Sequence, residues 1–470
     1  MSTHVAALVV GAGISGLACA YALRKAGADV LLVESSSRAG GLIRSERRDG
    51  YLLEFGPQSF SGAPQLLDLC RDLGIEDQLL TAPPRAPRFL IIHGQLRPVP
   101  LSPLAFFISS LFGVRTKWRV LHDAFGRSSP PEADESVADF VRRKFSPELL
   151  DTLVGPFVSG IYAGDPEKLS LRSAFQQVHE AEVSAGSVIR GMLRGARSAK
   201  ARAGSRKRPT LQAFREGNET IVQALATNLG PSLRCGAEAT ALRRGGAGSP
   251  HSGARFVVDV KSGAGTESII ADHLVLATPP NVAANLLATA SEKIENRLSE
   301  ITFAPMAVVS LGYRRSDVGH ALEGFGFLIP RSAGLRTLGT VWNSSYFAGR
   351  APAGHVLLTS FVGGAADPGA ASLKPEELTA LVHQELALIL SLRNAPVFSN
   401  VQTHESALPQ YALGHSARTA RPAEYGFTCS NLWLAGNYLR GPSLGACVEQ
   451  ALSVADEICR VVKQKPREVL

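Results

Sequence analysis

The run Val5-Ala6-Ala7-Leu8-Val9-Val10-Gly11-Ala12-Gly13-Ile14-Ser15-Gly16 decides the fold, and residues 17–34 complete its meaning. Val5 to Val10 is an apolar run of buried-strand type that enters a glycine turn at once. Leu17-Ala18-Cys19-Ala20-Tyr21-Ala22-Leu23 is helical in composition, and Asp29-Val30-Leu31-Leu32-Val33 is a second strand that ends in Glu34. The order is strand, GxGxxG turn, helix, strand, acid, with Glu34 placed 18 residues after Gly16. The three glycines act differently. Gly11 permits the tight turn, Gly13 lets backbone approach a pyrophosphate, and Gly16 lets helix pack against strand. The helix tip at Ile14 and Ser15 offers free N–H groups and positive dipole to phosphates. Glu34 is placed to accept from ribose hydroxyls, which disfavours a 2′-phosphate. A dinucleotide clamp is the expectation.

The remaining composition narrows the class. The chain has 470 residues, 45% apolar and 19% charged, which excludes a disordered chain and leaves room for several domains. Six cysteines are scattered with no CxxC pair, so neither a disulfide framework nor a zinc knuckle is expected; a reducing compartment fits. Eleven histidines show no HExxH spacing, and no metal site is expected. The N-terminus does not read as a signal peptide, because its apolar run is short and passes straight into the glycine turn. A cytoplasmic protein is expected. The uncharged stretch Pro98 to Val114 holds three prolines and a glycine in 17 residues. That is too short and too broken to span a bilayer, but an interfacial contact with the inner face of the membrane stays open.

Further along, residues 81–114 are Pro-rich and apolar, 115–209 look mainly helical, and 211–229 read as a helix. Arg190, Arg194, Arg197, Lys200, Arg202, Arg206, Lys207 and Arg208 form a basic segment free of acids. It reads either as a solvated loop or as a contact with anionic lipid. No aromatic residue interleaves these charges, which argues against nucleic acid. Strands are expected at residues 255–260, 272–277, 307–311 and 356–360. From Leu432 the chain reads as strand, glycine-rich turn, then a helix from Leu444 to about Val462.

Several segments resemble one family. Glu34-Ser35-Ser36-Ser37-Arg38-Ala39-Gly40-Gly41 follows the pattern E-x3-R-x-G-G of the FAD fingerprint in the flavin amine oxidase and protoporphyrinogen oxidase superfamily. Ser159-Gly160-Ile161-Tyr162-Ala163-Gly164-Asp165-Pro166 resembles the SGIYAGDP segment of porphyrinogen oxidases, and Pro409-Gln410-Tyr411-Ala412-Leu413-Gly414-His415 their PQYxxGH motif. The stretches 324–330, 338–340 and 344–347 are similar to their substrate-side strands. Leu434 to Tyr438 and Gly441 to Val448 resemble their C-terminal flavin segment.

The resemblance runs end to end and implies an α/β fold with three parts. A discontinuous Rossmann-type FAD-binding domain takes 1–80, 210–290 and 406–470. A helical domain that is a candidate for membrane binding or substrate entry takes 81–209, and a mixed-sheet substrate domain takes 291–405. It implies non-covalent FAD held by Gly11, Gly13, Ile14, Ser15, Gly16, Glu34, Ser35, Arg38, Gly40, Gly41, Leu42, Gly56, Pro57, Gln58, Ser59, Ala239, Thr278, Gly436, Asn437, Ser443 and Leu444. Arg38 adds a cation near the diphosphate. The C-terminal helix tip points at the flavin ring, where positive dipole stabilises electron density.

The implied reaction is oxidation of protoporphyrinogen IX or coproporphyrinogen III to the porphyrin in haem biosynthesis, with molecular oxygen as acceptor. Flavin does the redox work, so no catalytic triad or acid–base pair is expected. Arg88 matches the arginine that pairs with a substrate propionate, and Leu328 and Phe347 match residues that sandwich the pyrrole rings. Phe106, Phe107, Ile108, Leu111 and Phe112 resemble the family's membrane-binding region. A homodimer is left open. The chain departs from the family pattern at Gln58, at Gly217-Asn218 and at Pro442. An amine oxidase is the nearest rival, but no lysine occurs from Ile294 to Leu373, where such enzymes commonly carry one beside the flavin. A carotenoid desaturase would not carry the PQYxxGH segment. A non-catalytic flavin and porphyrin carrier would keep the clamp without fast reoxidation.

Overall fold

A computed structural model describes residues 3–203, 210–244, 256–288, 292–420 and 431–464, with the side chains of 198–203, 292–294 and 462–464 left undescribed. Two seven-stranded sheets organise the described residues. In the first, Leu233–Cys235, Val30–Glu34, Thr3–Val10, Gly265–Leu276 and Leu432–Leu434 run parallel, and Phe256–Ser262 and Glu238–Arg244 add an antiparallel edge. The central strands are apolar on both faces because both are covered. Val9, Leu32 and Val275 pack with helices Ile14–Lys25, Glu219–Leu229 and Leu444–Gln464 on one side. Leu8, Leu31 and Leu274 pack beneath the antiparallel strands and helix Pro280–Leu287 on the other.

The second sheet is mixed, in the order Phe398–Pro409, Phe303–Arg314, His355–Gly363, Thr337–Trp342, Gly326–Leu328, Arg88–Ile92 and Gln95–Pro98. Alternation sorts its side chains. Val309, Phe327, Trp342 and Leu358 bury one face under helix Pro375–Leu390. On the opposite face, Leu357 packs on Tyr51, Leu53 and Phe55 of the nucleotide half. That face is therefore covered in part by the hairpin of Ser45–Arg48 and Tyr51–Glu54.

Three local expectations change. Residues 88–98, read with the helical segment, form the two-stranded edge of the second sheet, because Arg88 to Leu90 pairs in parallel with Gly326 to Leu328. Residues 211–214 form a strand between Phe60–Ser61 and Leu79–Thr81 rather than the start of a helix, which begins at Glu219. The basic segment is helical over Val188–Ala203, and Arg206, Lys207 and Arg208 lie outside the described residues. Arg190 is part of the fold there, donating to the carbonyls of Ala124, Gly126 and Ala185.

The helices of residues 114–203 close around a buried ionic cluster. Lys144 Nζ lies 2.6 Å from Asp123 and 3.3 Å from Glu182, and Arg143 reaches Glu182 and Glu135. Arg143 and Lys144 hold the Glu182 carboxyl below its ordinary range even though burial pushes it the other way.

Candidate functional site

The parallel strands of the first sheet all end at one edge, which places Gly11, Glu34, Thr278 and Gly436 together at the strands' carboxyl ends. Ligands of open α/β sheets bind there. Gly11 turns with φ +100°, and a Cβ on it would meet the Ala277 carbonyl at 2.8 Å. A Cβ on Gly16 would lie 1.9 Å from the Gly11 carbonyl, so helix and strand touch backbone to backbone. Gly13 differs, since a Cβ there would meet nothing within 4 Å. The space beside Gly11 and Gly16 is filled by protein, whereas Gly13 faces open space. Nearby, the Thr278 hydroxyl is buried with no hydrogen-bond partner among the described residues. An open backbone cradle, a helix tip and an orphaned hydroxyl fit a dinucleotide's pyrophosphate.

The Glu34 carboxylate accepts from Ala12 N–H at 2.7 Å and from Ser36 N–H at 2.9 Å, and it also takes the Ser36 and Ser35 hydroxyls. Its place beside the cradle is thereby fixed. Ala237 N–H donates to the Glu34 carbonyl at 2.8 Å, which brings the strand carrying Ala239 alongside. Ile14 opens the first helix, and Ser15 is buried behind it. Gly40 N–H donates to the Ala12 carbonyl, stacking the second glycine turn on the first, and Leu42 beside it is 41% exposed.

Arg38 has a local role. Its guanidinium donates to the carbonyls of Ala39 (3.0 Å), Ile43 (3.1 Å) and Gly41 (2.5 Å). Gly40 and Gly41 both have positive φ in this turn. Arg38 thus shapes the turn. Gln58 is likewise structural: it donates to the carbonyls of Glu54 and Gly56 and accepts from Asn343 at 2.7 Å. Asn218 Nδ2 donates to the Pro57 carbonyl at 2.7 Å, Gly56 packs on the Leu42 carbonyl, and Ser59 is half-buried. The departures from the family pattern at 58 and 218 thus hold local structure of their own.

At the C-terminal turn, Gly436 N–H donates to Gln450 Oε1 at 3.1 Å, and Gln450 Nε2 returns to the Leu434 carbonyl. Ser443 caps the last helix through Ala446 N–H at 3.2 Å, and Leu444 is buried in the core. The Asn437 carbonyl accepts from the Tyr411 hydroxyl, and the Tyr438 carbonyl takes the His415 Nε2–H at 2.7 Å. A carbonyl only accepts, so His415 carries its proton on Nε2.

Burial holds the His415 imidazole down at about 4, with Arg418 adding to the shift and the Tyr438 carbonyl and Asp134 opposing it. An unfolded histidine titrates near 6.5, so the unfolded chain gains the proton first. Stability contributed by neutral His415 is complete above pH 6.5 and is lost as pH falls toward 4. Roughly 2 kcal/mol should be gone by pH 5. Urea unfolding at pH 7 and pH 5 should show wild type losing about that much more than His415→Gln; equal losses would remove His415 as the acid-sensitive group.

Of the substrate-side residues, Arg88 and Leu328 share one face of the second sheet. Arg88 pairs with Gly326, two residues from Leu328, and their neighbours Phe89 and Phe327 turn to the opposite, helix-covered face. Arg88 is exposed, and its guanidinium has no hydrogen-bond or ion-pair partner among the described residues. Leu328 folds over Gly339 and against Gly160 of helix Gly155–Tyr162. Phe347 is elsewhere. It is 3% exposed, packs with Ala82 and Ala213, and lies under the Arg350 guanidinium at 5.8 Å. The expected stacking role of Phe347 finds no open ring surface. Phe361, which sequence reasoning missed, sits across Gly339 in register and packs with Leu338 and Ala163. Its signal was the alternation of His355–Gly363, which sets Leu357 and Phe361 on one face.

Comparisons with known proteins agree with this geometry. Residues 14–459 match the family of flavin-containing amine oxidoreductases. The chain is 36% identical over 475 residues to the chloroplastic protoporphyrinogen oxidase of Nicotiana tabacum, covering 96% of this chain and 85% of that one. The chain belongs to the flavin-containing amine oxidoreductases, on their porphyrinogen oxidase branch. Within this family it is also similar to the coproporphyrinogen III oxidase of Bacillus subtilis, 28% identical with 96% and 97% of the two chains covered. A crystal structure from Exiguobacterium sp. 255-15, provisionally assigned as a protoporphyrinogen oxidase, superposes with a TM-score of 0.78 at 25% identity over 98% of this chain and 99% of that one. As in the family, the cofactor is FAD.

Proposed function

We propose that this chain oxidises a porphyrinogen to the porphyrin in haem biosynthesis, with molecular oxygen as the final acceptor. The observation that carries the reading is Arg88: an unpaired guanidinium beside an apolar floor, on a sheet face turned toward the cofactor half. FAD bound along the cradle supplies hydride acceptance and passes the electrons to oxygen. Porphyrinogen to porphyrin is a six-electron, six-hydrogen change, so three oxygen molecules become three of hydrogen peroxide. The protein's share is position and dryness. Leu328 and Phe361 present apolar surface to a macrocycle, and Arg88 pairs with a propionate through both carboxylate oxygens. The tetrapyrrole would lie in the cleft between the two sheets, in keeping with the preference of ligands for domain boundaries. We assign the first sheet with its helices to the FAD domain, residues 114–203 to the helical domain, and the second sheet to the substrate domain.

A parallel aerobic assay of protoporphyrinogen IX and coproporphyrinogen III, read by porphyrin fluorescence, tests the function and decides between the two substrates. No fluorescence from either would overturn it. Arg88→Ala should raise KM about tenfold to a hundredfold, the loss expected for one charge-assisted pair, with flavin content unchanged. Loss of flavin at constant KM would remove Arg88 from substrate binding.

A peripheral membrane contact forms part of the same reading. No helix among the described residues is long and apolar enough to cross a membrane. Phe112 is buried and Phe106 and Leu111 pack beneath the helices, but Leu104, Ile108, Val114, Trp118 and Phe125 are each more than 60% exposed. Arg115, Lys117 and Arg119 stand among them. Such a surface suits an anionic leaflet. Purified protein should float with anionic liposomes and stay behind when Ile108 and Trp118 are both changed to Ser; equal flotation of both would exclude this face.

A further inference from the structure

The segment Pro409 to His415 is bonded in two directions. On one side it is knitted to residues 162–170. Gln410 Nε2 donates to the Tyr162 carbonyl at 2.9 Å, Ser170 N–H to the Tyr411 carbonyl at 2.8 Å, and Leu413 N–H to the Lys168 carbonyl at 3.0 Å. Asp134 fastens the join, accepting from Ser170 Oγ and from Gly414 N–H. Tyr162 is the last residue of the helix whose Gly160 lies against Leu328. On the other side, the Tyr411 hydroxyl and His415 Nε2–H take the carbonyls of Asn437 and Tyr438, in the turn between the last strand and the C-terminal helix. Tyr411 is fully buried and His415 is 1% exposed, and their rings lie 4.3 Å apart. Two buried side chains therefore fix two consecutive peptide carbonyls at the cofactor edge, from a segment that also holds the end of the substrate-side helix.

We propose that Tyr411 and His415 are positioning residues that aim the Gly436–Tyr438 turn, and with it the C-terminal helix tip, at the flavin, and that the Pro409–His415 segment couples this turn to the helix over Leu328. The inference rests on the flavin site described above. Buried donors to backbone carbonyls hold peptide dipoles in fixed directions, and dipoles fixed near a flavin set how strongly its reduced form is favoured.

The test uses Tyr411→Phe, which conserves volume and removes one donor, together with His415→Ala and His415→Gln, all purified as holoenzyme. Three quantities are read: the flavin midpoint potential by dye equilibration without porphyrinogen, the dissociation constant for FAD by titration of apoprotein, and kcat and KM. Tyr411→Phe should keep KM within about twofold and lower kcat about tenfold. Its midpoint should move by about 30 mV for each tenfold change in the ratio of reduced to oxidised flavin affinity. His415→Gln, whose amide still donates, should restore most of what His415→Ala loses. Wild-type midpoint and kcat in Tyr411→Phe, with only a lower Tm, would reduce the segment to scaffolding and overturn the proposal. The potential is measured without porphyrinogen, so an enzyme inactive on porphyrinogens would sink the substrate reading and leave this one tested.

Discussion

Gly13→Ala should give a folded protein that has lost its flavin. The added methyl meets nothing within 4 Å and Gly13 has φ −66°, so neither sterics nor backbone opposes alanine in the apoprotein. The methyl points instead into the space offered to the pyrophosphate and parts it from the N–H groups at the helix tip. Losing two charge-assisted hydrogen bonds of about 1.5–3 kcal/mol each should weaken FAD by roughly 10²- to 10⁴-fold. The apoprotein Tm should stay within about 2 °C of wild type. Gly16→Ala supplies the contrast. Its Cβ would sit 1.9 Å from the Gly11 carbonyl, backbone that cannot give way. The variant should therefore fail to fold or lose about 3 kcal/mol or more, the upper end of the range for overpacking. Measuring Tm of both apoproteins and their FAD affinity separates the roles. A yellow, stable Gly13→Ala would mean that the cradle is not where the pyrophosphate lies.

Arg350→Met should be the most destabilising change far from the cradle. The Arg350 guanidinium is 1% exposed, lies 2.8 Å from a Glu54 carboxylate that is 2% exposed, and also donates to the Phe214 carbonyl at 3.1 Å. Glu54 accepts further from Ser45 Oγ and from Asn218 N–H. Burial pushes the Glu54 carboxyl above its ordinary range, against the pull of Arg350 and these donors. Removing the arginine strands a buried acid, which costs about 3–5 kcal/mol. Restoring neutrality with Glu54→Gln in the same chain should recover about half, since the amide oxygen still accepts from Asn218. The pair joins hairpin Ser45–Glu54 of the nucleotide half to the chain leaving strand Thr337–Trp342, so flavin retention should fall with stability. Urea unfolding of the two variants checks this; a loss under about 1 kcal/mol for Arg350→Met would show the pair to be dispensable.

The sequence was most legible where chemistry is local. Strand, glycine turn, helix, strand and acid stand within residues 5–34, and each glycine's spacing dictates what its backbone must do. Gly11, Gly13 and Gly16 therefore fall where the reading placed them, as does the C-terminal helix start at Leu444. Where the sequence fell short, the deciding partner was distant or was backbone. For Arg38 a sequence shows the charge and not the three carbonyls its guanidinium reaches within the turn. Phe347 looked like a stacking ring, yet Arg350, Ala82 and Ala213 cover it. Residues 88–98 lie in a Pro-rich stretch, with Pro83, Pro84 and Pro87 before them and Pro98, Pro100 and Pro103 at and beyond their end, and were grouped with the helices that follow; their partner strand, Gly326–Leu328, is remote in the chain.

By itself the sequence determined the dinucleotide clamp, the α/β class and the membership of the porphyrinogen oxidase branch, because backbone-shaped turns and helix starts are written in contiguous residues. Only the tertiary structure decided which face of the second sheet meets the cofactor half, that the Arg88 guanidinium stands unpaired on the same sheet face as Leu328, and that Tyr411 and His415 hold the C-terminal turn. Those facts follow from strand register and long-range packing, where alternation by one residue moves a side chain from one face to the other.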